Sequence, residues 1–128
     1  MNYKIEIHDG FISVSFERDT LFTSELIIDV LNQERNSPER LILNDIWDVR
    51  GGDVDKELNS ESIDLIVQHI NKLHSGVYHK RSAFIIDSKV ALGMTRMFQI
   101  LSDELPYESA AFEDVQAAKD WVLGDTAT

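Results

Sequence analysis

Asp48 and Arg50 stand two residues apart with Gly51-Gly52 directly behind them, a spacing that puts both side chains on one side of an extended backbone. If they close a parallel strand, they lie where open α/β sheets bind ligands, beyond the carboxyl ends of the strands. An acid and a base so placed could hold a polar small molecule or, with an edge serine, serve an enzyme. An Asp–Arg ion pair that ties down the loop is the simpler account. Ser88 and Lys89 open a helix on the same predicted edge, with Arg96 two turns further on. A basic residue beside free helix N–H groups could hold a carboxylate or phosphate, although an N-cap and solvated charges explain these residues more simply. Asp48, Arg50, Gly51, Ser88, Lys89 and Arg96 together form the candidate ligand site at this edge.

Ser60 and Ser62 fall at another helix start, where unpaired backbone N–H groups favour a phosphoryl group. Serine also caps helices for structural reasons, and Glu57, Glu61 and Asp64 would repel a phosphate. The four histidines match no zinc spacing. His69 and His74 would project about 140° apart on a helix, while His8 sits at a strand end and His79 just before a strand, so a structural role is expected for all four and no metal site. The chain has no Gly-x-Ser-x-Gly elbow, Walker A loop or Gly-x-Gly-x-x-Gly fingerprint, and no cofactor is expected.

These residues must be positioned by one domain, expected over 1–124 with a polar tail at 125–128. With 128 residues, the chain can bury roughly two thirds of its unfolded surface without staples. Lys and Arg number 12 against 23 Asp and Glu, a formal net charge of −11 spread along the chain. Such a field repels phosphate backbones and anionic headgroups, so nucleic acid and membrane-surface partners are not expected. The absence of cysteine removes disulfides, thiolate catalysis and cysteine-bound zinc together. No apolar run follows a basic N-terminal segment and none approaches a membrane span, which predicts a cytoplasmic protein without stable membrane insertion.

Tyr3, Ile5 and Ile7, then Ile12, Val14 and Phe16, alternate with polar residues around Asp9-Gly10, which predicts a hairpin. Thr23 is a good N-cap for a helix carrying Leu26, Ile27, Val30 and Leu31 at helical spacing, and Phe22 and Ile27 suit a hydrophobic staple. Ser37-Pro38-Glu39 reads as a helix start, yet Leu41-Ile42-Leu43 and Ile46-Trp47 read as a buried strand. The third strand is placed within 41–49, and a polar loop follows to about Leu58. A helix over Ser60–His74 buries Ile63, Ile66, Val67, Ile70 and Leu73, with Gly76 as its stop. A strand at 81–87 leads into a helix over 90–105 that buries Val90, Met94, Met97, Phe98, Leu101 and Leu105. A strand at 107–112 leads into a helix at 115–123 with Val115, Ala118, Trp121 and Val122 on its apolar face. The order ββαβαβαβα makes an α/β domain with a mixed, mostly parallel sheet: four parallel strands and an antiparallel first one.

Three segments then look familiar: Ile46-Trp47-Asp48-Val49-Arg50-Gly51, Ala91-Leu92-Gly93-Met94-Thr95-Arg96-Met97-Phe98, and Phe112-Glu113-Asp114-Val115-Gln116-Ala117-Ala118-Lys119-Asp120-Trp121-Val122. In this order they resemble the small stand-alone SpoIIAA-like proteins of the STAS group (sulfate transporter and anti-sigma factor antagonist), whose fold is shared with CRAL-TRIO lipid carriers. The resemblance implies a non-catalytic binding or regulatory domain that acts through a protein partner, self-association or a small ligand. In the anti-sigma antagonists a serine at the start of the helix after the third strand is phosphorylated. The matching segment here, Asn59-Ser60-Glu61-Ser62, lacks their paired serine followed by glycine. A carrier of a small apolar or amphiphilic molecule is the alternative, and its mark would be an internal cavity lined by Met94, Met97, Phe98 and residues of the Ser60 helix. An enzyme built on Asp48 and Arg50 is a third and weaker reading.

Overall fold

The structure, a computed structural model, describes residues 2–73, 80–103, 105 and 107–124. Strands β1 (Tyr3–His8) and β2 (Phe11–Phe16) form the expected antiparallel hairpin, His8 pairing with Phe11 across the turn. Gly10 takes φ 93° there, a left-handed conformation that costs glycine nothing for want of a Cβ. A two-residue strand β3 (Leu21–Phe22) precedes α1 (Ser24–Glu34). Thr23 caps that helix by accepting from the Leu26 N–H at 3.1 Å.

The middle segment satisfies both of its sequence signals in turn. Pro38–Leu41 forms one helical turn, α2, and the third long strand, β4, is only Asn44–Asp48. Ile42, which the strand reading would have buried, is 67% exposed. The loop beyond it is not wholly irregular, since Asp53–Val54 (β5) pairs in parallel with β3 to make a two-stranded ribbon. Gly52 allows this approach, for a Cβ there would lie 2.3 Å from the Phe22 ring.

Helix α3 (Ser60–Leu73) buries Ile63, Ile66, Val67 and Ile70 as its spacing predicts; its expected end at His74, its stop at Gly76, and His79 lie outside the described residues. Strand β6 (Lys80–Ile85) is followed by α4 (Lys89–Leu101), and β7 (Tyr107–Phe112) by α5 (Val115–Leu123). Both β6 and α4 stop short of their predicted ends. Val90, predicted inside, is 57% exposed; it shares the helix face of Met94 and Phe98 but lies in the first turn of α4. The 125–128 tail also lies outside the described residues.

The main sheet runs β1-β2-β4-β6-β7, antiparallel at its first pairing and parallel at the next three. Sheet order thus follows chain order. Each crossover advances in the same direction, so right-handed connections put α1, α3 and α4 on one face. There Ile12, Val14 and Trp47 meet Val30, Leu31, Ile63, Ile66, Val67 and Ile70. The strand period sends the alternate residues to the other face, where Phe11, Ile46, Ala83 and Ile85 pack against Ala118 and Val122 of α5.

Candidate functional site

The three-helix face is not filled to the sheet. A cavity of about 130 Å³ lies between β4, β6 and the helices. Its apolar wall includes Phe22 and Ile27, the predicted staple pair, with Trp47, Phe84, Ile63, Ile66, Ile70, Met94 and Phe98. Five of these are residues that the cavity expectation named or drew from the Ser60 helix. Met97 instead packs, partly buried, against the core. The void is large on the scale of this fold, because an engineered apolar cavity of about 150 Å³ takes up benzene.

Arg35, Asp45, Lys80 and Ser82 also line this cavity, and all four are buried. They reach it from three elements. Glu34 ends α1 on the stripe begun by Ile27, Val30 and Leu31, and Arg35 is the helix C-cap. Asp45 shares a face of β4 with Trp47, and Lys80 and Ser82 share a face of β6 with Phe84. The charges therefore gather at the amino-terminal ends of the two strands, opposite Val49 and the β3–β5 ribbon.

Arg35 organises the group. Its Nε lies 2.8 Å from Glu34 Oε1, its guanidinium donates to Asp45 Oδ2 at 2.8 Å and to the Leu43 carbonyl at 2.9 Å, and it also meets the Arg40 carbonyl. The Trp47 indole N–H is shared by Glu34 Oε2 at 2.9 Å and Asp45 Oδ2 at 3.2 Å. Two carboxyl groups converging on one donor cannot both ionise cheaply. Burial, then the neighbouring Asp45, pushes Glu34 well above the usual carboxylate range. Burial also acts to raise Asp45, but Arg35 and Lys80 outweigh it and hold Asp45 below its ordinary value.

Lys80 is different. Only 4% exposed, it donates one long hydrogen bond, 3.4 Å to the Leu43 carbonyl. Burial brings its ammonium down to about 8, against the opposing pull of Asp45. Asp45 Oδ1, also buried, has no hydrogen bond of good geometry among the described residues.

The edge residues singled out in the sequence are arranged otherwise. Asp48 and Arg50 form a bidentate pair at 2.7 and 2.9 Å, partly exposed to solvent. The Gly51 N–H donates to Asp87 at 3.1 Å, so the loop is tied to the turn after β6. The Asp48 hydrogen bonds and the charges of Asp48, Asp87 and Asp114 raise Arg50 above its ordinary value. Ser88 accepts from the Ala91 N–H at 3.1 Å and caps α4, while Lys89 and Arg96 are exposed. At the start of α3 the cap is Asn59, which accepts from the Ser62 N–H at 3.1 Å while Ser62 Oγ accepts from the Asn59 N–H at 2.8 Å. This reciprocal box occupies Ser62; Ser60 is exposed.

His8 bonds Ser13 at 2.7 Å and stacks on Phe11, and His69 bonds Asn32 at 2.7 Å. Among the described residues no three His, Asp or Glu side chains come together as metal ligands, and no helix is long and apolar enough to cross a membrane.

The architecture has a solved counterpart. An uncharacterised DUF3478-family protein from Shewanella loihica PV-4, described as having a SpoIIAA-like fold, superposes with a TM-score of 0.58. The match covers 94% of this chain and 91% of that one at 18% identity. This chain has the SpoIIAA-like fold. No family model matches it, and no curated protein does.

Proposed function

We propose that this protein is a non-enzymatic binding domain of the STAS type whose ligand is a small, mainly apolar molecule held between the sheet and α1, α3 and α4. The observation that carries the reading is the cavity itself, since interiors of this size normally pack with few voids larger than a water molecule. Its wall of aromatic, isoleucine and methionine side chains favours an apolar body, and flexible methionines adapt to varied shapes. By contrast, the Asp48–Arg50 couple spends its hydrogen bonds on itself, which is why the cavity and not the edge is taken as the site. Native mass spectrometry of gently purified protein tests this. A noncovalent mass lost on denaturation is expected, and since Ala91 also lines the cavity, Ala91→Phe, which fills space there, should abolish it. Retention of the same mass by a folded Ala91→Phe variant would place the ligand elsewhere and end the proposal.

A regulatory role through self-association is the second reading, supported by one observation. β1 is the outermost strand at its end of the sheet among the described residues, and Ile7 on it is 48% exposed. Edge strands of this kind template pairing with another chain. Ile7→Lys should convert any dimer measured by light scattering to monomer; a dimer unaffected by it would rule out this edge.

A further inference from the structure

The cavity has a polar end whose groups are unequally satisfied, and the inequality indicates what enters it. Arg35 and Asp45 face each other at 2.8 Å and cancel. Glu34, crowded against Asp45 on the Trp47 indole and buried, favours its neutral form. That leaves Lys80. No carboxylate oxygen of the described residues lies within 4.0 Å of it, and its one hydrogen bond is the 3.4 Å contact to Leu43. An ammonium has three donors, so a buried one with a single long bond has unused capacity beside an apolar void. Ser82 adds a hydroxyl in the same wall.

From this geometry we infer that the ligand is a small apolar monocarboxylate, its carboxylate paired with the Lys80 ammonium and its hydrocarbon body lying against Trp47, Phe84 and Phe98. The inference rests on the cavity-binding reading and narrows it. A phosphate or dianion is disfavoured because Asp45 keeps its charge close by, and a neutral hydrocarbon would leave Lys80 as it is. A cationic ligand would meet both Lys80 and Arg35. The site is about one aromatic ring in size, so benzoate, benzyl alcohol, benzylamine and toluene make a matched set in which only the head group varies.

The test is calorimetric titration of the full chain with each probe at pH 7. Benzoate should bind at least about tenfold more tightly than benzyl alcohol, with benzylamine weakest, a tenfold step being that expected for one partly desolvated charge pair. Lys80→Met should remove this preference while leaving toluene binding unchanged. The groups facing Lys80 are Asp45 from β4 and Glu34 and Arg35 from the end of α1, and with them in place the ammonium titrates at about 8. Benzoate affinity of the unaltered protein should therefore fall about tenfold from pH 7 to pH 9 while toluene affinity holds, because the ammonium is the form that binds. That second measurement decides the matter if Lys80→Met fails to fold. Equal or tighter binding of toluene or benzyl alcohol would overturn the carboxylate assignment and leave the cavity reading standing. Failure of all four probes would overturn both.

Discussion

Two groups of charged side chains lie at opposite ends of the same strands, and they do different work. At the carboxyl edge, Asp48 and Arg50 bind each other in solvent. At the amino edge, Glu34, Arg35, Asp45 and Lys80 are taken almost wholly out of water. The same kinds of residue are nearly neutral for stability when exposed and decisive when buried, because removing one partner leaves a charge with nothing to replace its lost hydration. Position on the strand, rather than residue type, separates a loop tie from the polar floor of the cavity.

The contrast can be tested from its strongest member downward. Arg35→Met removes the partner common to Glu34, Asp45 and two backbone carbonyls and should cost about 3–5 kcal/mol by urea unfolding. A loss no larger than that of an exposed pair would erase the distinction between the two ends. Lys80→Met should act in the opposite sense and stabilise the protein at pH 7 by about 1–2 kcal/mol, since it removes a buried charge that the native state accommodates poorly.

The pH dependence gives the same comparison a sign. Lys80 titrates at about 8 in the native state against an ordinary 10.5. Between those values the unfolded chain binds more protons, so its contribution to stability rises with pH, and Lys80→Met should flatten that rise in unfolding curves taken at pH 8, 9 and 10. Glu34 has the reverse sign. Its native pKa is raised from 4.5, so the native state holds the extra proton and this contribution is lost as pH climbs through the native value. Glu34→Gln, which mimics the neutral carboxyl, should change neutral-pH stability by less than about 1 kcal/mol and remove that loss.

Asp48→Asn completes the series with the smallest effect, a loss within about 1 kcal/mol that shrinks further in high salt. A drop comparable with that of Arg35→Met would mean the edge pair also anchors the fold.

The sheet was legible because each strand and helix carries a clean period: Ile12-Val14 by twos, Ile63-Ile66-Val67-Ile70 by threes and fours. Chain order then suffices for the main sheet, since each of its parallel neighbours is the next long strand along. Boundaries were less legible where two signals abut, as at Pro38–Leu41, whose helical turn runs almost directly into β4. Val90 was misassigned because the first turn of a helix can carry an apolar residue that faces solvent. The cavity enters the sequence reading only as the mark of the alternative carrier function, through Met94, Met97, Phe98 and the Ser60 helix, of which Met97 does not line it, and its charged floor does not enter that reading at all. Charged residues are ordinarily assigned to the surface, and that expectation concealed the pattern that was present. Glu34 continues the apolar stripe of α1, Asp45 is in register with Trp47, and Lys80 with Ser82 and Phe84. A charge in phase with a buried face was the signal.

The sheet whose order follows the chain has a consequence for how the molecule is made. Each strand of the main sheet from β2 onward docks on the edge left by the one before it in that sheet, so the polypeptide can build its sheet in the direction of synthesis without leaving a gap to be threaded later. The second face has no such progression. Phe11, Ile46, Ala83 and Ile85 wait for Ala118 and Val122, which arrive only with the last helix. A nascent chain that pauses before residue 115 therefore presents a nearly complete sheet with one sticky side, and this is the interval in which a chaperone has something to hold.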